Sequence, residues 1–272
     1  MARASMNYFT YWWSRFLHSQ KVANIASHAD IIVGSACFFT FIWLLAMPLG
    51  KLLFPGALQR GLARDAKFGN KWRDHWVSQL HAMIASIWSL YNLCILGEEM
   101  LMTSEGRLFG NSRVLARQSA FTVGYFLWDL CVCLLDFGNY GAAFLVHAIV
   151  CLSSFSLGLT PIMQGYAPIF LMYEGSTVFL NAHWLLEKTG APKWLMMLND
   201  GLLVLAFFGI RLVWGGWWSM TIVADIYWQR RDVPRLAAGV IGIGVICMCV
   251  LNNFWFVKIV LSVRRALAKN KQ

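Results

Sequence analysis

Seven long apolar segments dominate this chain and limit it to a small set of folds. They cover residues 31–50, 77–96, 119–136, 143–160, 166–186, 200–223 and 237–261. One helical crossing of a bilayer takes about 20 residues, so seven crossings use roughly 140. The rest of the 272 residues leaves no room for a large soluble domain. We therefore predict an all-α, multi-pass transmembrane helical bundle with about seven spans.

Composition and charge narrow the class of protein further. Hydrophobic residues make up 58% of the chain and charged residues only 13%, which is atypical of a soluble enzyme. The net charge of +10 comes from Lys and Arg at the ends of the apolar segments, where positive charge sets membrane orientation. Because no soluble fold carries a basic patch, we expect membrane lipids, and not nucleic acid, as partners.

The distribution of Lys and Arg between loops predicts the topology. With seven spans, the face that carries the N-terminus holds nine basic residues outside the spans, and the opposite face holds twelve. The more basic face is expected in the cytosol, which places the C-terminus and the loop between the first two spans there. Residues 1–30 combine aromatic and basic side chains, so we expect a segment at the membrane interface.

All seven cysteines fall inside the predicted spans, and none forms a CxxC pair. Isolated cysteines in apolar helices are usually small core residues. The sequence therefore predicts neither a disulfide framework nor a metal site.

Polar residues at membrane depth are the main functional signal. A charged side chain at the centre of a span costs about 2.5–3.5 kcal/mol on insertion scales, so such residues face a partner or a cavity. Polar stripes on several helices must converge inside the bundle, because lipid offers no hydrogen bonds. We predict a polar cavity, open to one side, and its predicted lining residues are His81, Asp136, Glu174, Thr177, Asn181, Arg211 and Asn252.

Several of these residues also have a structural interpretation. His81 fits a hydrogen-bonded strut between helices equally well, and Arg211 fits an ion pair with Glu174 or Asp129. The sequence alone leaves both interpretations open for each residue.

Residues near span ends have interpretations of their own. Water can satisfy Asp136 and Asp225 there, and Asn252 can hold two helices together without any chemistry.

The segment 143–160 closes at Thr160-Pro161, which predicts a tight helical hairpin with segment 166–186.

A motif in the fifth and sixth segments resembles a known family. The fifth reads Glu174-Gly-Ser-Thr177 with Asn181 and Trp184 following, and the sixth reads Phe207-Phe-Gly-Ile-Arg211. Together with Asp129 in the third segment, this pattern resembles the TLC-domain family, which includes the ceramide synthases. The resemblance covers about residues 68–265 and is strongest to small family members outside the ceramide synthases.

The resemblance implies a domain organisation and a cellular role. It implies a six-helix TLC bundle around a lipid-sized cavity over residues 68–265. The first transmembrane helix and a basic cytosolic loop precede it at 31–67, and a basic cytosolic tail follows at 266–272. It further implies residence in the endoplasmic reticulum or another endomembrane. The expected function is lipid homeostasis, through binding or sensing a membrane lipid, with sphingolipids and ceramide as the family's chemistry.

Two other functions remain as alternatives. Ceramide synthases carry adjacent histidines that this chain lacks, since it reads Val146-His147-Ala148. A similar acyltransferase would use His147, oriented by Asp129, as catalytic residues with acyl-CoA as substrate and no bound cofactor. A transporter or channel would use the polar cavity as a path, but no paired broken helices support it. A homo-oligomer is compatible with each function.

Overall fold

The computed structural model describes residues 26–95 and 98–269, with side chains at all of these except 98, 99 and 266–269. Within this part of the chain, all regular structure is helical and no strand occurs. The helices are α1 (Ala29–Leu53), α2 (Pro55–Arg64), α3 (Phe68–Ile95), α4 (Glu98–Met102), α5 (Ser104–Phe109), α6 (Arg113–Leu135), α7 (Phe137–Leu157), α8 (Tyr166–Leu171), α9 (Glu174–Thr189), α10 (Lys193–Ala206), a π-helix (Phe207–Trp214), α11 (Gly215–Trp228) and α12 (Arg235–Lys269).

The predicted all-α membrane bundle is confirmed. Five helical stretches are long and apolar enough to cross a membrane, and they are Ala29–Leu53, Arg113–Leu135, Phe137–Leu157, Lys193–Trp228 and Arg235–Arg265. The predicted segments 77–96 and 166–186 fall on helices as well, but these helices carry more polar residues. The count of seven spans therefore stays a prediction. Most of the interfacial segment predicted at 1–30 lies outside the described residues.

Helix α1 packs closely against α6 and α3. Its Phe39 is fully buried and contacts Tyr125 on α6 edge-to-face, at 5.0 Å between ring centroids. Directly before Tyr125 on α6, a methyl group on Gly124 would overlap the Ile32 carbonyl oxygen and the Ser35 side chain. The Ser35 hydroxyl also donates to the Phe121 carbonyl oxygen at 2.7 Å. Small residues thus let the two backbones approach, as is common between membrane helices.

The predicted tight hairpin between segments 143–160 and 166–186 is wrong. Helix α7 packs on α6 and α12, whereas α9 packs on α3 and α10. A buried turn and the short helix α8 separate them. Within that turn, Met163 adopts a positive φ of 61°, and its N–H donates to the Leu108 carbonyl oxygen at 2.6 Å. The turn is therefore held by the short helix α5, and it carries the chain away from α7.

A buried charged network closes the face of the bundle opposite the start of α3. The Arg107 guanidinium donates to both carboxylate oxygens of Asp225, at 2.8 and 2.9 Å, and to the Leu101 carbonyl oxygen at 2.6 Å. The Tyr166 hydroxyl donates to the same carboxylate at 2.5 Å. Asp225 is only 6% exposed, so the interpretation that water satisfies it at a span end is wrong. We call this set the Arg107 network.

Candidate functional site

A polar chamber of about 570 Å³ lies inside the bundle, among α3, α6, α7, α9, α10, the π-helix and α12. Its wall reaches helix ends at one face, with Lys71 near the start of α3, Asn139 near the start of α7 and Ser262 near the end of α12. The chamber therefore opens toward the face that carries the C-terminal end of α12. The sequence-predicted residues on its wall are Asp129, His147, Glu174, Thr177, Asn181 and Arg211.

Arg211 holds the centre of the polar wall through neutral partners. Its Nε donates to the Ser176 hydroxyl at 2.8 Å, its Nη2 to the Thr177 hydroxyl at 2.8 Å, and its Nη1 to the Asn252 amide oxygen at 3.2 Å. Among the described residues, no salt bridge joins Arg211 to Glu174 or to Asp129, the two partners that the sequence left open.

The local fold aims Arg211 at the chamber. Arg211 lies in the π-helix, whose wider turn interrupts the α-helical path between α10 and α11. Such insertions occur frequently at functional sites, since they change the direction in which side chains project. The guanidinium lies 5.1 Å from the centre of the Phe207 ring and 5.7 Å from that of Tyr173. Aromatic rings thus shield a cation that no carboxylate contacts directly.

Asn181 links α9 to α3 on the chamber wall. Its amide nitrogen donates to the Ser78 hydroxyl at 2.9 Å, and its amide oxygen lies 2.9 Å from Nδ1 of His75. The His75 ring stacks on Trp184 at 4.2 Å between centroids. These contacts fix the chamber wall near its mouth.

Asp129 and His147 share the chamber wall, but no hydrogen bond joins them. The His147 ring lies 3.7 Å from the Cys151 sulfur one turn along α7 and contacts Trp255 edge-to-face. Asp129 makes no hydrogen bond or ion pair to another described residue. The structure therefore brings the two predicted catalytic residues to one cavity without the hydrogen bond that would orient the histidine.

His81 does not line the chamber. It is fully buried between α1 and α6, where its ring stacks face-to-face on Tyr125 at 3.5 Å. Neither ring nitrogen has a hydrogen-bond partner among the residues that the structure describes. His81 is therefore an aromatic packing residue, and neither the predicted lining role nor the hydrogen-bonded strut describes it.

Asp136 and Asn252 also lie off the chamber wall. Asp136 follows the last residue of α6, accepts from the Asn139 amide at 2.5 Å and lies 3.6 Å from Lys67 Nζ. It is a helix-end carboxylate, which fits the alternative interpretation. Asn252 is buried behind Arg211 and supports that side chain.

The predicted lining set leaves out several wall residues near the chamber mouth. Asp74 accepts hydrogen bonds from Trp43, at 2.8 Å, and from Tyr140. His183 and Asp200 form a pair at 2.5 Å between Nδ1 and Oδ1. The spacing of Asp74 and Ser78, four residues apart, would have placed Asp74 on the polar face of α3, because such residues share a helix face.

A narrow apolar cleft of about 90 Å³ adjoins the chamber. It lies mainly between α7, α8, α11 and α12, and Phe126, His147 and Glu174 belong to the walls of both spaces. The combined site is polar toward one face of the bundle and apolar toward its interior. Among the described residues, no group of three or more His, Cys, Asp or Glu side chains is placed to hold a metal ion.

Comparison with known proteins assigns the family. The sequence model of the TLC domain matches residues 71–261, which contain the chamber wall from Lys71 to Ile259, whereas Ser262 and Val263 lie just beyond the match. The chain belongs to the TLC-domain family. The predicted resemblance is thus confirmed.

Similar proteins share most of the length of this TLC-domain chain. Topoisomerase I damage affected protein 4 of Saccharomyces cerevisiae is 29% identical over 263 residues, covering 94% of this chain and 90% of its own. A TLC domain-containing protein of Schizosaccharomyces pombe is 28% identical over 249 residues, covering 90% and 81%. TLC domain-containing protein 4-B of Danio rerio is 29% identical over 199 residues, covering 70% and 72%. No solved structure matches the chain.

Proposed function

We propose that this TLC-domain protein binds one membrane lipid inside its bundle and through that binding contributes to lipid homeostasis. The polar chamber receives the headgroup, and the apolar cleft receives part of a hydrocarbon chain. The observation that carries the proposal is the shared wall of the two spaces at Phe126, His147 and Glu174. A continuous site with one polar and one apolar part matches an amphiphile.

The size and chemistry of the chamber support this proposal. Its volume of about 570 Å³ lies within the range of small-molecule sites, roughly 300–1,000 Å³. Within the described part of the chain, the carboxylate of Asp129 faces this space without a partner, and the hydrogen bonds of the Arg211 guanidinium go to neutral groups. Uncompensated charges at membrane depth are costly and usually mark a functional site. A headgroup with hydroxyl or amine donors would satisfy Asp129.

Mass spectrometry of the lipids that copurify in mild detergent tests this proposal. We expect wild type to retain a defined lipid class and Arg211→Gln to lose most of it, since the substitution removes the cation that organises the wall. Arg230→Gln is the matched control, because Arg230 is exposed in the turn after α11 and outside the chamber. Equal lipid retention by all three proteins would contradict the proposal.

A ceramide-synthase-like acyltransferase is the second candidate, and the placement of His147 and Asp129 on one chamber wall is the observation in its favour. The missing hydrogen bond between them and the single histidine count against it. His147→Ala separates the two functions. Lipid binding predicts retention of the same lipid by this variant, whereas acyl transfer predicts loss of acyl-CoA turnover or of an acyl adduct on His147.

We also propose that the chamber opens to the cytosol from an endomembrane such as the endoplasmic reticulum. The excess of Lys and Arg on the face that carries the C-terminus supports this orientation. A glycosylation acceptor appended to the C-terminus should stay unmodified in cells. Modification of that acceptor would reverse the proposed orientation.

A further inference from the structure

A second concave site lies beside the chamber mouth. We call it the basic pocket. It has a volume of about 380 Å³ and lies between α2 and the C-terminal end of α9. Its charged wall residues are Arg60, Arg64, Asp65, Lys71, Glu187 and Lys188.

Ion pairing leaves two arginines in this pocket without a carboxylate. Lys71 Nζ lies 2.8 Å from Asp65, and Lys188 Nζ lies 3.1 Å from Glu187. The hydrogen bond from Lys71 and that from the Lys67 N–H lower the pKa of Asp65 below its ordinary value, so this carboxylate is ionised at neutral pH. Arg60 and Arg64 have no such partner among the described residues.

The position of α2 brings these arginines to the level of lipid headgroups. Only Phe54 separates α2 from the apolar span α1. Leu58 of α2 is buried against the bundle, while Arg60 and Arg64 are exposed. A short amphipathic helix directly after a span lies along the membrane surface, where the phosphates of lipid headgroups are found.

We propose that the basic pocket binds a phosphate group through Arg60 and Arg64. Guanidinium groups pair with phosphate oxygens in bidentate geometry, which makes arginine the preferred residue for this chemistry. The position of α2 favours an anionic lipid headgroup as the source, and a soluble phosphate compound offers the same chemistry. The pocket shares Lys71 and Trp184 with the chamber wall, so a bound phosphate lies next to the chamber mouth.

Basic residues here have a simpler interpretation, which is that they only fix membrane topology. Arg264 and Arg265 provide the comparison, since they are exposed on the same face but line neither the basic pocket nor the chamber. A topology role predicts that the two arginine pairs are equivalent toward phosphate. A phosphate site predicts that they differ.

Binding of fluorescent phosphatidic acid, and of diacylglycerol with the same chains, tests the proposal with detergent-purified full-length protein. We expect tighter binding of phosphatidic acid, weakened about tenfold or more in Arg60→Gln/Arg64→Gln. Arg264→Gln/Arg265→Gln should bind like wild type. Equal loss in both double variants, or equal binding of the two probes by wild type, would overturn the proposal.

Inorganic pyrophosphate as competitor distinguishes the source of the phosphate. Displacement of phosphatidic acid supports a pocket that also accepts soluble phosphate compounds, and no displacement supports a lipid headgroup alone. Failure of this site is distinguishable from failure of the chamber proposal, because lipid retention in the chamber depends on Arg211 and not on Arg60 and Arg64.

Discussion

Arg107 and Arg211 are both buried in the bundle, but their surroundings differ. Arg107 meets a carboxylate in bidentate geometry, and Tyr166 completes the coordination of Asp225. Arg211 donates to two hydroxyls and an amide oxygen of the described residues, and it borders the chamber. The same type of side chain is thus neutralised within the fold at one end of the bundle, and borders the open chamber in its interior.

This difference separates a charge that is neutralised within the fold from one that, in our proposal, serves a ligand. The Arg107 network neutralises its own charges within the described fold, so it needs no further partner. On the chamber wall, Asp129 has no hydrogen bond or ion pair to another described residue, and no salt bridge joins Arg211 to Glu174. We infer that partners, more than residue type, decide which buried charges serve a ligand.

The largest effect is expected for Arg107→Gln. Removing one partner of a buried ion pair leaves Asp225 charged and uncompensated, which typically costs about 3–5 kcal/mol. The free energy of unfolding in detergent, measured by denaturant titration, should fall by that amount. A variant as stable as Arg230→Gln, whose site is exposed, would show that the Arg107 network is not structural.

Arg211→Gln should destabilise less, by about 1–3 kcal/mol, because only hydrogen bonds to neutral groups are lost. The same titration measures it. The comparison predicts a larger stability loss at Arg107 and a larger loss of bound lipid at Arg211. If the order of the two stability losses were reversed, the distinction between the neutralised Arg107 network and the open chamber at Arg211 would fail.

Gly215→Ala tests the packing behind Arg211. A methyl group there would overlap the Tyr173 phenol, which borders the apolar cleft, and such overpacking typically costs about 1–3 kcal/mol. Gly216→Ala is the matched control, since no atom lies within 4 Å of its added methyl group. Thermal unfolding of both variants checks this prediction. Equal melting temperatures would show that Tyr173 moves aside freely.

The smallest effect on stability is expected for Asp129→Asn. Asp129 has no described partner to lose, so the free energy of unfolding should change by less than about 1 kcal/mol. Lipid retention should still fall, because the neutral amide binds a cationic or hydroxyl donor less strongly. A large loss of stability would reveal that Asp129 holds the fold and is not free for a ligand.

The sequence predicted the helical membrane bundle and six residues of the chamber wall for clear physical reasons. Long apolar runs mark helices, and polar residues at membrane depth mark an interior face. Glu174, Thr177 and Arg211 were found in this way. Asp74 was missed because the first turns of α3 are polar and precede the apolar run that begins near residue 77.

Other features depended on contacts that the sequence does not contain. His81 has the spacing of a lining residue, but α1 and Tyr125 cover it. The partner of Asp225 is Arg107, 118 residues away in the short helix α5, outside the spans. The path of the chain after α7 depends on a backbone contact between Met163 and Leu108. Long-range packing decides each of these.

The close packing of α1 decides which residues a shortened form of this protein has to keep. The family match begins at residue 71, whereas α1 ends at Leu53. Yet Phe39 fills the space beside Tyr125, and the α1 backbone rests on Gly124. A shortened chain that starts at residue 71, where the family match begins, would leave the side chains of His81 and Tyr125 exposed to lipid. The stretch by which the family is recognised is therefore shorter than the stretch that must fold together.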